Sequence, residues 1–369
     1  MGNRIVVKIG SSSLTSANGG LHRERIAFYT AEIAAVKQRG YEVVLVTSGA
    51  VAAGFSVLGY PQRPKEVHDK QASAAVGQAL LMQAYQEALA THQLIGGQLL
   101  LTRGDFASRR RTHYASMTLE TLLNRGAIPI INENDCVSID ELKFGDNDLL
   151  SALVSQLVNA DRLFILTDTD GLYTADPRKD PTATRIEKVE RIDDDFLAMA
   201  GGTGSSVGTG GMRSKLLAAQ TATRCGTDVF VGRVTERGEL IDAVDGKGKG
   251  TIFAKEPVTA SRKKQWVGFL STPRGKIVID TGAAEALLNK GRSLLPAGVK
   301  SAEGVFRQGD VLEVYTEDGI SIGRGICNYT SESIRSVYGL SSDAVRTQFP
   351  EQHRVEVIHR DEWMPMEGV

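Results

Sequence analysis

Six short runs, almost wholly apolar, set the main constraint on this chain: Arg4 to Ile9, Val43-Val44-Leu45-Val46, Leu99-Leu100-Leu101-Thr102, Ile128-Pro129-Ile130-Ile131, Leu163-Phe164-Ile165-Leu166 and Val229-Phe230-Val231. A strand with one wet face alternates apolar and polar residues. These runs do not, so each is expected as a strand buried on both faces. Between them lie segments with helical spacing. Glu24 to Arg39 places Ile26, Tyr29, Ile33 and Val36 on one side and stops at Gly40. Gln71 to Ala90, Thr112 to Asn124, Leu149 to Val158 and Ser214 to Arg224 read the same way. Strands alternating with helices predict an α/β class, a three-layer αβα sandwich around a mostly parallel sheet.

In such sheets ligands bind beyond the carboxyl ends of the strands. The glycines and polar residues collect there: Gly10-Ser11-Ser12-Ser13, Ser48-Gly49-Ala50, Asn132 to Asp135, and Thr167 to Gly171. Near residue 255 the pattern changes to short runs split by glycine, Gly275 to Asp280, Gly304 to Phe306, Asp310 to Tyr315 and Ile320 to Ile326. These predict a small β-rich domain. The expected organisation is a catalytic domain over 1–257, a linker over 258–273, a second domain over 274–350, and a loosely held tail over 351–369.

Charge and cysteine usage narrow the function classes. Formal net charge is -1, so no imbalance demands nucleic acid or a membrane surface. No stretch approaches the ~20 apolar residues of a membrane span. The apolar run after Met1 is too short for a signal-peptide core. Cys136, Cys225 and Cys327 are far apart and have neither disulfide-framework nor zinc spacing. A cytoplasmic protein is expected.

Four segments carry candidate chemistry. Lys8-Ile9-Gly10-Ser11 closes a strand with an ammonium and open backbone, which suits a phosphate; the alternative is an edge lysine and a turn. No GxxxxGK[ST] loop is present. Thr209-Gly210-Gly211-Met212-Arg213-Ser214-Lys215 opens a helix behind a glycine-rich stretch, a second phosphate-binding pattern, or else a surface loop. Asn132 to Asp135 and Gly145 to Asp148 are rich in carboxylates and amides. They suit an ammonium ligand, ion pairs with lysines, or Mg²⁺, and equally suit plain turns. Leu166 to Arg178 leaves a strand at Thr167-Asp168 and offers backbone contacts to a nucleotide.

Read in order, VVKIGSSSLT (Val6 to Thr15), VTSGAVAAG (Val46 to Gly54), KQASAAVGQ (Lys70 to Gln78), LLTRGDF (Leu100 to Phe106), PIINENDCV (Pro129 to Val137), FGDND (Phe144 to Asp148), LTDTDGLYTADPR (Leu166 to Arg178) and GTGGMRSK (Gly208 to Lys215) resemble the amino acid kinase family, and within it the members acting on glutamate. The resemblance implies ATP, with Mg²⁺, as donor and the side-chain carboxylate of L-glutamate as acceptor, in the first step of proline biosynthesis. It implies Lys8, Lys215 and Asp148 as catalytic residues, the lysines neutralising the transferring phosphoryl and Asp148 holding them. Ser48, Gly49, Asn134, Asp135, Asp146 and Asn147 are implied as glutamate contacts. Lys8, Gly10, Ser11, Thr167, Asp168 and Thr209 to Lys215, that is Thr209, Gly210, Gly211, Met212, Arg213, Ser214 and Lys215, are implied as ATP contacts. No protein side chain is assigned to a metal. Proline as a feedback inhibitor, a homo-oligomer (dimer or tetramer) and a glutamyl phosphate reductase as pathway partner follow from the same resemblance.

Arg274 to Gln348 resembles the PUA domain, a pseudo-barrel known from RNA-modifying proteins. Between Arg274 and Pro350 nine Lys or Arg face nine Asp or Glu. Binding to a phosphate backbone needs a surplus of basic residues, so RNA is not expected as a partner. Arg109-Arg110-Arg111 is read as a solvated loop, Cys136 as a buried packing residue, and Trp266 and Trp363 as packing residues. Asp193-Asp194-Asp195 resembles a metal cluster but is read as a helix N-terminus before Phe196.

Overall fold

A computed structural model describes residues 3–16, 19–137, 147–175, 180–193, 196–197, 211–257 and 261–366. It divides into two units, one of Met1–Asp105 with Arg110–Val258, the other of Phe106–Arg109 with Thr259–Val369.

In the first unit the strands are β1 (Arg4–Ile9), β2 (Glu42–Val46), β3 (Gly96–Leu101), β4 (Ile128–Glu133), β5 (Arg162–Leu166), β6 (Leu172–Tyr173), β7 (Arg185–Ile186), β8 (Lys188–Val189), β9 (Asp228–Gly232) and β10 (Gly250–Phe253). The helices are α1 (Ser11–Leu14), α2 (Arg23–Gln38), α3 (Ala50–Gly54), α4 (Val67–Ala90), α5 (Arg103–Ala107, of which Phe106 and Ala107 belong to the second unit), α6 (Arg109–Asn124, in the first unit from Arg110 on), α7 (Asp148–Leu157), α8 (Met212–Arg224) and α9 (Glu239–Val244). The main sheet runs β3-β4-β2-β1-β5-β9-β10-β8. It is parallel except where β10 meets β9. The six apolar runs all fall in its strands; five are buried as expected, but in β3, at the sheet edge, Leu99 and Leu100 are only half-buried. β8 and β10 were not legible in the sequence.

Side chains alternate across a strand. Ile5, Val7 and Ile9 of β1 point into one apolar layer with Ile26, Tyr29 and Ile33 of α2, Leu81 and Tyr85 of α4, and Leu240 of α9. The opposite face belongs to α6, α7 and α8; Ser116 Oγ of α6 donates to the Leu157 carbonyl of α7. Lys8 sits one residue from Val7 and Ile9, so it is turned into this second layer. Arg109-Arg110-Arg111 form the first turn of α6 rather than a loop, though they remain exposed. Asp193 accepts from Phe196 N–H at 2.8 Å, while Asp194 and Asp195 lie outside the described residues.

In the second unit β11 (Gly275–Ile279), β12 (Val299–Gly304), β13 (Val311–Thr316), β14 (Ser321–Cys327) and β15 (Ile358–Pro365) make one sheet in the order β12-β11-β13-β14-β15. Two expectations fail here. Part of the expected linker is helical, α10 (Arg262–Gln265) followed by a π-helical stretch (Trp266–Leu270). Trp266 and Val267 are buried, and the Trp266 indole N–H reaches the Phe106 carbonyl at 3.1 Å. The expected loose tail contains β15, paired antiparallel with β14. Its Ile358 and Trp363 lie in the core with Ile277, Leu312 and Ile322. The apolar residues of both segments were too few to show a period. The segment expected as a strand from Gly304 to Phe306 ends its pairing at Gly304, and Val305 is exposed.

Candidate active site

Strand register gathers the polar segments at one end of the sheet. Lys8 is opposite Val46, Ile9 is opposite Leu166, and Val46 is opposite Ile131. Continuing each strand by one or two residues therefore aligns Gly10, Ser48, Glu133 and Thr167. Lys8 itself is still within the sheet and almost wholly buried.

At the mouth of this end α7 begins with Asp148, which is completely buried. Its two carboxylate oxygens divide two lysines between them. Lys8 Nζ lies 2.6 Å from Oδ1, and Lys215 Nζ lies 3.0 Å from Oδ2. Ser214 Oγ also donates to Oδ2, at 2.8 Å. Lys215 comes from the first turn of α8, whose N-cap, Gly211, supplies no side-chain cap. The first N–H groups of a helix have no partner within it, so this terminus favours an anion. Gly10 lies beside the Lys8 ammonium; a Cβ there would sit 3.5 Å from Nζ. Two cations on one carboxylate leave a net positive charge where two phosphate-binding patterns converge.

Beside this cluster runs a second, uncharged network. Asn147 precedes Asp148 with a left-handed φ of 65°, which asparagine tolerates better than most residues. Its Nδ2 donates to the Thr47 carbonyl and to Asn132 Oδ1, each at 2.7 Å, and lies 3.1 Å from Ser48 Oγ. Asn132 Nδ2 donates to Gln78 Oε1 at 2.8 Å. Thr47 Oγ1 pairs with the buried Tyr85 hydroxyl at 2.9 Å. Burial drives the Tyr85 phenol far above its ordinary pKa, so it stays neutral and serves as a structural hydrogen-bonding group.

The structure thus brings together Lys8, Gly10, Ser48, Asn147, Asp148, Ser214 and Lys215. Gly49 follows β2 at φ 104° and opens α3, with the Thr15 methyl 3.1 Å from the position of a Cβ. Asn134 and Asp135 follow β4, where Asn134 N–H is fixed to the Leu101 carbonyl. Ser11, Met212 and Arg213 lie in the first turns of α1 and α8, and Thr167 and Asp168 leave β5, linked by a 3.0 Å hydrogen bond. Asp146, Thr209 and Gly210 lie outside the described residues. Cys136 is exposed, not buried as expected.

Sequence reasoning read Asn132 either as part of a ligand-binding patch at the carboxyl end of a strand or as part of a turn. It lies at the end of β4, buried with Glu133. Gln78 was given no role. Its signal was present: Ala74, Gly77, Leu81, Met82 and Tyr85 form the buried side of α4, and Gln78 is an amide among them.

The chain matches the amino acid kinase family over residues 3–233. It belongs to that family. The PUA domain is matched over residues 275–349. Among relatives of this family member, the glutamate 5-kinase of Bacillus cereus (strain ATCC 10987 / NRS 248) is 48% identical, covering 98% of this chain and 99% of the relative. The glutamate 5-kinase of Geobacillus kaustophilus (strain HTA426) is 51% identical, covering 98% and 97%. The carbamate kinase from Giardia lamblia bound to AMP-PNP superimposes with a TM-score of 0.51 at 19% identity, over 69% of this chain and 99% of that one. At that identity it supports the amino acid kinase fold alone.

Proposed function

We propose that the protein transfers the γ-phosphoryl group of ATP to the side-chain carboxylate of L-glutamate, giving L-glutamyl 5-phosphate at the head of proline biosynthesis. The full-length relatives named glutamate 5-kinase support the substrate. The observation that carries the chemistry is the buried Asp148 carboxylate holding Lys8 and Lys215 together.

A carboxylate nucleophile is already ionised at neutral pH, so the reaction needs no general base. Its barrier is the repulsion between that carboxylate and the anionic phosphates. Lys8 and Lys215 offset this repulsion, and Asp148 fixes their spacing before substrate arrives, so little reorganisation remains for the transition state. Gly10, Ser11, Thr167, Asp168 and the α8 terminus from Gly211 to Lys215 hold the nucleotide. Ser48, Gly49, Asn134, Asp135 and Asn147 hold glutamate, with Asp135 suited to the ammonium. Thr209, Gly210 and Asp146 complete the two sets in the same reading.

Mg²⁺ enters as part of Mg-ATP. Among the described residues no group of three His, Cys, Asp or Glu side chains converges on a cation site. Asp148 is already committed to two lysines.

The same reading makes proline, a cyclised relative of glutamate, a competitive inhibitor at the glutamate pocket; inhibition that leaves the glutamate dependence unchanged would count against it. An acyl phosphate hydrolyses readily, so a glutamyl phosphate reductase is the expected consumer. The working form is a cytoplasmic homo-oligomer, dimer or tetramer. No described helix is long and apolar enough to cross a membrane. The PUA-like domain, with balanced charge, serves a structural or regulatory role rather than binding RNA.

The test is hydroxamate formation from Mg-ATP, glutamate and hydroxylamine, which traps the acyl phosphate. Glutamate-dependent product is expected from the wild type, with a loss of about 10²-fold or more in Lys215→Ala. A folded wild type that yields product with aspartate or N-acetylglutamate but none with glutamate overturns the assignment.

A further inference from the structure

We propose that Gln78 of α4 is a positioning residue that turns the Asn147 amide toward the amino acid substrate, acting through Asn132. This inference rests on the reading of Ser48 and Asn147 as substrate contacts.

The orientations of the amides follow from which partners carry protons. Asn132 Oδ1 accepts from Glu133 N–H at 2.9 Å and from Asn147 Nδ2 at 2.7 Å. The Glu133 partner is a backbone donor, so the Asn132 oxygen must face it. Asn132 Nδ2 must then face the other way, where it meets Gln78 Oε1. Asn147 Nδ2 faces the Thr47 carbonyl, which has no proton to give. A flipped Asn147 would set oxygen against oxygen there. Its Oδ1 is therefore left as an acceptor, buried and without a donor among the described residues. An acceptor left without a donor on a residue read as a substrate contact suits a cationic donor such as an α-ammonium group.

Gln78 holds the far end of this relay. As mere core filling, Leu or Met would occupy the same volume and bring no polar atom of its own to satisfy, but would leave Asn132 Nδ2 without its acceptor. Gln78 instead keeps its Nε2 buried without an acceptor among the described residues, an unfavourable arrangement. Its Oε1 is the atom in use. The reach of that atom depends on how deeply α4 sits. Gly77 lies against α3 so closely that a Cβ on it would be 1.8 Å from the Ala50 carbonyl oxygen.

The test uses the full-length enzyme and two dicarboxylates, glutamate and glutarate. Glutarate has both carboxylates and no ammonium. The glutarate inhibition constant divided by the glutamate KM reports what the ammonium contributes. In Gln78→Met this ratio is expected to fall about tenfold or more, with the ATP KM within about twofold of wild type. Gln78→Glu keeps an acceptor oxygen for Asn132 Nδ2, and any added charge acts on both dicarboxylates, so its ratio stays at or above about a third of wild type. If Gln78→Met does not fold, Asn132→Ala cuts the same relay one link further on and carries the same expectation. A ratio unchanged in the relay-cutting variant, or equal losses with both ligands, overturns the proposal in favour of a purely structural Gln78. A wild type with no glutamate-dependent hydroxamate defeats the substrate reading itself, and this inference falls with it.

Discussion

Asp148 is buried with both oxygens occupied, and Lys8 beside it is as deeply buried. Breaking such a pair from one side leaves a charge in a low-dielectric interior, which costs more than losing a surface ion pair. Asp148→Ala is expected to lower unfolding stability by about 3–5 kcal/mol, read from denaturant midpoints, and to abolish hydroxamate formation. A stable, active Asp148→Ala would show that the lysines are held by other means. The cysteines give a second prediction at this scale. Burial pushes the Cys225 and Cys327 thiols each up to about 12, whereas an unfolded thiol titrates near 8.5. Raised folded values mean that the stability these thiols contribute is full below about pH 8.5 and is lost as pH rises toward 12. Cys136 is exposed, its thiol raised more modestly by partial burial and by Asp135. A thiol reagent at pH 8 should therefore label Cys136 alone in the native protein and all three cysteines in denaturant. Prompt native labelling of Cys225 would contradict the packing around it.

The contact between α3 and α4 shows how elements set the site. A Cβ on Gly54 would meet the Ser73 carbonyl at 2.0 Å, and one on Gly77 would meet the Ala50 carbonyl at 1.8 Å. The two backbones touch where these glycines face each other. Gly77→Ala must push the helices apart, and a loss of about 1–3 kcal/mol in unfolding free energy is expected. Because Gln78 is the next residue, the glutamate KM should rise with it. An unchanged midpoint and KM would mean that α4 is free to shift. Both glycines were visible in the sequence as parts of motifs, but a motif does not say which glycine meets which. The helices themselves were legible, because apolar spacing is a local property. Their N-terminal extensions at Val67, Arg109 and Met212 were not, because those turns are mostly polar and carry no apolar period.

At the scale of the whole molecule, the last strand belongs to the second unit's core. Removing residues 351–369 would take β15 from the edge of its sheet and Ile358 and Trp363 from the interior. Limited proteolysis of the shortened chain should cut within 275–349 much faster than in the full chain. Equal resistance would make β15 dispensable. The sequence alone determined the α/β class, the apolar strands of the main sheet and the set of loops at their carboxyl ends. These depend on residue types at short, regular spacing, and burial on both faces permits few alternatives. Tertiary structure decided which polar groups meet. Lys8, Asp148 and Lys215 stand far apart in the chain, and only the strand order β2-β1-β5-β9 with α7 and α8 on one face brings them to one carboxylate. Gln78 reaches Asn132 for the same reason: hydrophobic periodicity places a helix on a sheet, but the depth and register of that packing choose the partner of a buried amide.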